Sequence, residues 1–504
     1  MVHSVLTGGL FGVEGYPVKV EVDVSEGLPC IDMVGYLGAD VKAAADRVRV
    51  ALKNTGYHIP TKRITVNLSP ANKKKDGTAF DLPIAVAVLM GMGAVTPTVE
   101  KVLVLGELGL DGSVKKVSGV LPILLMAKEQ GIRTCLVPLE NQKEGTCIQG
   151  MHILGVKDLK EAVECYKNID AWKKRQEMPE ENVSFSDAPD VDFADIVGQP
   201  VAKRAAEIAA AGFHNLLLYG PPGTGKSMIA AAMPGILPPM NEREMMETSK
   251  VYSVSGLLNE EKGLIKKRPF LNPHHSITPG ALIGGGLNPM PGVISRANHG
   301  VLFLDELPEF KRQTLDLLRQ PMEEGWITIA RKSGSYAYPC NFMLIAAMNP
   351  CPCGYYPDRN RCNCNDKEVV RYVKSISGPL LNRIDMSVAV SRNTYRQIVG
   401  EGMKNESTRE IRKRVEDARQ MQNLRNGDGI FNSQIPAKEL KHKCFLRAKA
   451  EKTIELYFTD KQLSMRGYHR LLRVARTIAD LEQCLQVEEE HILEAVSYRG
   501  MLDK

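Results

Sequence analysis

The stretch that most restricts how this chain can fold is Gly220-Pro221-Pro222-Gly223-Thr224-Gly225-Lys226-Ser227. It lies between the apolar run Asn215 to Tyr219 and the alanine-rich segment Met228 to Ala232. An apolar strand that enters a glycine-rich turn and then opens a helix needs covering layers on both faces, which points to an α/β architecture. Backbone N–H groups at such a helix start converge on phosphate oxygens, and the glycines let the backbone come close. Lys226 supplies a point charge to the β- and γ-phosphates and the Ser227 hydroxyl a ligand to Mg²⁺, so ATP with Mg²⁺ is the expected cofactor pair.

At 504 residues the chain has room for about three domains. No apolar run approaches the ~20 residues a bilayer needs, and Met1 to Phe11 lacks a basic n-region. A cytoplasmic protein without a membrane partner is expected. Seven of the eleven cysteines are scattered, as thiols in a reducing compartment usually are. The net charge of +6 is mild, but 22 basic residues face 17 acidic ones from Arg392 onward, which makes that end the basic one. A solvated helical surface explains this bias almost as well as a polyanionic partner does.

Residues 1–171 read as an α/β unit. Val18-Lys-Val-Glu-Val-Asp-Val24 alternates as a half-buried strand does, Arg63 to Ser69 is a second strand, and helical spacing marks Val41 to Leu52 and Asp81 to Met90. Lys75-Asp76-Gly77 before a helix, Gly106 to Gly112 and Gly131 to Asn141 together resemble the proteolytic domain of Lon. The resemblance implies a ribosomal protein S5 domain 2-like fold. The positions of its serine nucleophile and activating lysine hold Ala79 and Leu121, which have no nucleophilic atom and no proton acceptor, so no peptidase activity is expected. Lys73, Lys74 and Lys75 read as a solvated loop or as a nucleic-acid contact.

A polar, acidic stretch over 172–194 has the composition of a linker. Phe193 to Gln199 is then similar to the start of AAA+ ATPase modules. Val301-Leu-Phe-Leu-Asp305-Glu306 is an apolar strand ending in two carboxylates, suited to Mg²⁺ (Asp305) and to polarising a water (Glu306). By the AAA+ resemblance, Asn349 at the end of Phe342 to Met348 is the sensor that orients this water. Arg383 in Gly378 to Asp385 is the arginine finger or an ordinary salt-bridged arginine, and Arg466 is the sensor arginine of a helical lid. Arg466, Arg470 and Arg473 share one helical face, and the latter two pair with acids on this reading.

Two insertions are expected, Val251 to Gly286 within helix 2 and a hairpin over Glu324 to Pro339. In a ring, Lys266, Lys267, Arg268, Arg331 and Lys332 either follow a phosphate backbone or face solvent. His274 and His275, an adjacent pair without other ligands, read as loop-structuring residues or as metal ligands. Cys351, Cys353, Cys362 and Cys364 form either a structural zinc site with unusually tight C-x-C spacing or free thiols.

Over nearly its full length the chain resembles the YifB/ComM family of magnesium-chelatase-like AAA+ ATPases. The match rests on Gly220 to Ser227, Arg268-Pro-Phe with Pro-His-His275, Val301 to Phe310, Asn349-Pro-Cys-Pro-Cys-Gly354, Gly378 to Asp385 and the Arg466 segment. The resemblance implies an α/β multidomain protein. A Lon-like domain would occupy 1–171, a linker 172–194, an AAA+ P-loop parallel-sheet sandwich 195–391 and a helical lid 392–504. It also implies a homohexameric motor that drives branch migration of DNA, single-stranded or branched, in recombination during natural transformation. The rival readings are a metal-chelatase motor subunit and a chaperone or regulatory ATPase acting on protein.

Overall fold

The computed structural model describes residues 2–96, 100–175, 191–258, 263–331, 334–393 and 405–502. Lys332 and residues 176–190 of the expected linker lie outside the described residues.

Residues 2–175 hold a seven-stranded mixed sheet. Strands β1 (His3–Phe11) and β2 (Glu14–Ser25) form an antiparallel pair turning at Gly12-Val13. Val18, Val20 and Val22 face inward from β2, the consequence of its period-two pattern. With β3 (Cys30–Val34), β4 (Arg63–Ser69), β5 (Val102–Val104), β6 (Thr134–Pro138) and β7 (His152–Val156), the order is β3-β4-β2-β1-β5-β6-β7. Helix α1 (Asp81–Gly91) is buried from Asp81 to Met90, as a helix apolar on all sides must be. Its one charge, Asp81, is neutralised by Arg47 at 2.7 Å. A second helix, α2 (Val120–Glu129), covers the other face and contacts β1 and β2.

The second sheet is entirely parallel. Strands β8 (Leu216–Tyr219), β9 (Phe270–Leu271), β12 (Val301–Leu304), β15 (Met343–Met348) and β16 (Met386–Ala389) lie in the order β9-β12-β15-β8-β16. Two small hairpins, β10 (Gly284–Gly285) with β11 (Met290–Pro291) and β13 (Trp326–Arg331) with β14 (Gly334–Pro339), stand outside it. Every residue of β12 and β15 is buried, because helices cover both faces. These helices include α3 (Pro200–Gly212), α4 (Lys226–Ile236) and α5 (Glu242–Val254). In a parallel sheet all loops that follow strands emerge at one edge, so the β8, β12 and β15 loops meet there.

The C-terminal helices share one apolar cluster with α3, α4 and β8. Among them, α6 (Thr408–Asn426) is started by a Ser407/Glu410 capping box, and α7 (Met465–Leu481) by Ser464, whose hydroxyl accepts the Gly467 N–H. That cap places Arg466 in the exposed first turn of α7.

The expected insertion over Val251 to Gly286 is different in the structure. Val251 to Val254 finish α5, and Phe270–Leu271 is the edge strand of the parallel sheet, paired with Val301–Leu302. What protrudes is the β10–β11 hairpin, whose Leu287 is 98% exposed.

Candidate active site

The glycine-rich turn closes the C-terminal edge of β8. Gly220 is required by a close approach, since a Cβ there would stand 2.1 Å from the Val390 carbonyl oxygen. Gly223 and Gly225 have left-handed φ of +73° and +88° with open space beside them, so conformation and not crowding selects glycine. The open turn leads into α4, whose first N–H groups have no partner within the helix. Lys226 folds back to donate to the carbonyls of Gly220 (2.8 Å) and Pro221 (2.9 Å) and to Asn349 Oδ1 (3.3 Å). Burial pushes its ammonium below the ordinary value, against the pull of the Asp305 carboxylate. Ser227 Oγ donates to Asp305 Oδ2 at 2.9 Å, an all-oxygen pair of the kind Mg²⁺ takes. Glu306 sits at φ +50° with its N–H on Asp305 Oδ1, and its carboxylate is 57% exposed. Lys226, Ser227, Asp305, Glu306 and Asn349 are thus gathered at one edge.

His275 was missed as a site residue. Its Nδ1 stands 3.7 Å from Glu306 Oε2, with the ring between His274 (3.9 Å) and Phe310 (6.3 Å). The signal was its position just beyond β9, the strand beside β12.

Arg383 and Arg466 are elsewhere. A cavity of about 1250 Å³ is lined by Asn215, Asn298, Asn341 and Asp385, each of which shortly precedes a core strand, and by both arginines. They therefore lie at the N-terminal edge of the sheet, opposite their own glycine-rich turn. Arg383 is held by Glu323 (2.7 Å) and by the carbonyls of Arg319 and Pro379. Arg470 pairs with Asp385 at 3.3 Å, while Arg473 donates to the Ile435 carbonyl and not to an acid. Arg466 is exposed and has no ion pair or side-chain hydrogen bond among the described residues. Burial raises the Asp385 pKa, but the His214 and Arg470 contacts and the Asn215 N–H prevail and hold it below the usual carboxylate range.

Of the basic loop residues, Arg268 is corrected. It is buried, with Glu244 at 3.0 Å and donations to the Pro238 and His299 carbonyls, and so cannot follow an external phosphate chain. Its guanidinium is needed to satisfy the carbonyls around the start of α5. Lys266 and Lys267 are exposed beside it. Arg331 is exposed on β13 and reaches the Gly286 carbonyl at 3.3 Å, while the Tyr338 hydroxyl donates to Pro289 O at 2.5 Å. The two hairpins are therefore fastened together.

The N-terminal sheet docks on the same region. Phe11 stacks on Tyr336 at 4.6 Å, Val13 joins the apolar cluster of the parallel sheet, and Glu14 pairs with Lys250 at 3.1 Å. Ser253 on α5 accepts the Gly119 N–H through its carbonyl and donates its hydroxyl to Glu144 at 2.7 Å. Ala79 and Leu121 meet in one apolar cluster with Leu105 and Leu124. Of the three-lysine run, Lys75 is buried against the carbonyls of Pro70 and Lys73, and Lys73 lies over the Tyr16 ring.

Cys351, Cys353, Cys362 and Cys364 bring their sulfurs within 4.8 Å of one another. The Tyr355 N–H draws Cys353 down to about 6.

Residues 192–398 match the family described as magnesium chelatase, subunit ChlI, residues 20–141 the subunit ChlI of Mg-chelatase, and residues 405–499 the ChlI C-terminal family. The competence protein ComM of Haemophilus influenzae is 40% identical over 494 residues, covering 97% of this chain and 96% of that protein. The YifB protein of Escherichia coli is 39% identical over 496 residues, covering 98% and 96%. The magnesium-chelatase 38 kDa subunit of Cereibacter sphaeroides is 27% identical over 178 residues, or 31% of this chain and 52% of that protein. With full-length relatives at this identity and family models over most of its length, the chain belongs to the YifB/ComM family of magnesium-chelatase-like ATPases.

Proposed function

We propose that the chain hydrolyses ATP as a cytoplasmic homohexameric ring motor on DNA, and that it moves branched or single-stranded DNA during homologous recombination of incoming DNA. The observation that carries the motor reading is the separation of the site's two halves. Lys226, Ser227, Asp305, Glu306 and Asn349 stand at one edge of the sheet, Arg383 and Arg466 at the other. A ring that sets one edge against the opposite edge of the next copy completes each ATP site between neighbours. Arg383 and Arg466 then meet the neighbour's γ-phosphate, where charge builds during transfer.

Lys226 releases its own loop's carbonyls for phosphate oxygens, and Glu306 takes up the water that Asn349 orients. Ser227 and Asp305 would hold Mg²⁺, whose charge would offset that of the phosphates during transfer. The four-cysteine cluster suits zinc(II), a metal that four thiolates can enclose.

Support for DNA as the partner comes from the fastened hairpins that carry Arg331, from the exposed Lys266 and Lys267, and from the competence protein among the full-length relatives. Lys332 joins them on the reading of the sequence. Leu121 buried in an apolar cluster, with Ala79 packed against it, supports an N-terminal domain without peptidase activity. No helix of the described residues is long and apolar enough to cross a membrane.

The test measures ATP turnover with and without DNA, and migration of a synthetic four-way junction. Both should respond in the native protein and be lost in Glu306→Gln. Turnover indifferent to DNA, with no junction moved, ends the DNA reading.

A further inference from the structure

The loop over 350–365 follows the Asn349 strand directly and has little regular structure: turns at Pro352-Cys353, Tyr356-Pro357 and Arg359 to Arg361, then coil up to the helix Asp366–Val373. Its interior is the buried thiols of Cys351, Cys362 and Cys364, with Cys353, Tyr355, Tyr356 and Val369 packed around them among the described residues. Such a segment has too little apolar area to order itself, since each fixed residue costs roughly 1–2 kcal/mol of backbone entropy.

The sulfur spacing says what orders it. Cys351 Sγ is 3.3 Å from Cys353 Sγ and 3.8 Å from Cys362 Sγ, and Cys353 and Cys362 are 3.5 Å apart. Four thiolates at about 2.3 Å from one tetrahedral ion stand about 3.8 Å from each other. The Tyr356 N–H points at the Cys351 sulfur at 3.4 Å, a hydrogen bond that suits a charged thiolate. Guanidinium groups lie close by, Arg359 over the Tyr356 ring and Arg392 over the Tyr355 ring.

The loop also touches the ATP site from two sides. Cys351 is two residues beyond Asn349, whose Oδ1 receives Lys226. Gly354, at φ +84°, lies so close to Pro222 that a Cβ on it would be 2.7 Å from the ring. The thiol cluster is therefore the fixed point from which both the Asn349 side chain and the second proline of the glycine-rich turn are placed.

We propose that Cys351, Cys353, Cys362 and Cys364 bind one zinc(II) ion, and that this ion is an obligatory staple of the ATP site which sets Asn349 against Lys226 and Gly354 against Pro222. This inference rests on the ATPase reading above. Asn349 is the contact residue, and the cysteines are positioning residues that act through it. Losing the ion frees the loop, so nucleotide binding weakens through Pro222 and turnover falls through Asn349.

The test uses the full chain purified without chelator. Elemental analysis should find about one zinc per chain, and the Cys353→Ser/Cys362→Ser double variant should lose it. In that variant the affinity for a non-hydrolysable ATP analogue should drop about tenfold, with kcat reduced by a similar factor and faster protease cleavage within 350–365. Gly354→Val should keep its zinc and still lose nucleotide affinity, because the side chain must displace Pro222. Lys226→Ala should keep its zinc and lose nucleotide binding. A native protein without zinc overturns the inference even if it hydrolyses ATP. Zinc that can be removed with no change in analogue affinity or kcat overturns the coupling. A zinc-loaded chain that never hydrolyses ATP overturns the motor reading instead.

Discussion

The two edges of the parallel sheet carry opposite kinds of chemistry. At the C-terminal edge the acids and the lysine satisfy one another in a small polar cluster: Ser227 on Asp305, Lys226 on Asn349, Glu306 beside His275. At the N-terminal edge five arginines line a wide cavity, and the partners of Arg383, Arg470 and Arg473 there are a few acids and backbone carbonyls. Arg466, in the first turn of a helix capped by Ser464, has no partner among the described residues. An exposed arginine without such a partner is a poor structural element and a good receptor for an anion brought from outside. On the proposed ring reading the difference means that the site is built in halves, and that the arginine half is the one a single chain leaves incomplete.

The largest expected effect breaks the acid edge. Glu306→Gln keeps the shape of the side chain and removes its charge, so turnover should fall about 10²–10⁴-fold with ATP binding intact, read by equilibrium binding beside a phosphate-release assay. If kcat survives, the water is polarised by another group and the edge has been misread.

Next comes the arginine edge, where Arg383→Ala and Arg466→Ala should each lower kcat on the order of 10³-fold. Mixing Lys226→Ala chains with Arg383→Ala chains sharpens the comparison, because a site made from the intact turn of one and the intact arginine of the other regains turnover. A site contained in one chain would stay dead in every mixture. Arg466→Ala should leave the melting temperature in place, having no partner to lose, whereas Arg383→Ala also gives up Glu323.

A smaller effect concerns how the arginine edge is held together. Asp385 is buried among Arg470, His214 and the Asn215 N–H, and its pKa lies below the ordinary value. A carboxylate with a depressed folded pKa adds stability that is complete above its unfolded pKa of about 3.9 and is lost as pH falls through the folded value. Asp385→Asn leaves Arg470 unpaired and should cost about 3–5 kcal/mol at neutral pH. Its acid unfolding limb should be flatter than that of the native protein. Identical limbs would show that Asp385 is already protonated in the fold.

Much of this was legible in the sequence, and the parts that were not have a common cause. Strand–glycine turn–helix and apolar strand–Asp305–Glu306 are local patterns, so Lys226, Ser227, Asp305 and Glu306 could be named from spacing, and Asn349 from the AAA+ resemblance. The edge to which Arg383 and Arg466 belong depends on strand order and on where the C-terminal helices pack, which no local pattern encodes. Arg268 misled because one charge in a run of three looks like its neighbours. Its burial follows from the carbonyls of Pro238 and His299, distant in sequence. His275 was hidden for the same reason, since the strand that positions it is two residues long and reads as loop.

The smallest effect asks whether a grip far from the cavity is felt at the arginine edge. Hairpin β13–β14 is rooted there, with Trp326 and Pro339 in the cavity wall, and continues through β15 to Asn349. Near its far end Tyr336 stacks on Phe11 of the N-terminal sheet at 4.6 Å and 30°, and Gly334 faces the same ring. Phe11→Ala removes a stacked pair worth about 1 kcal/mol, too little to unfold either sheet. Basal ATP turnover should therefore be unchanged, while amide exchange over Gly334–Pro339 should quicken about fivefold and the DNA-stimulated increment should shrink. Phe11→Tyr, which keeps the ring, should restore both. If exchange quickens but the DNA response does not move, the N-terminal sheet steadies the hairpin without informing the ATP site, and the two edges communicate through the parallel sheet alone.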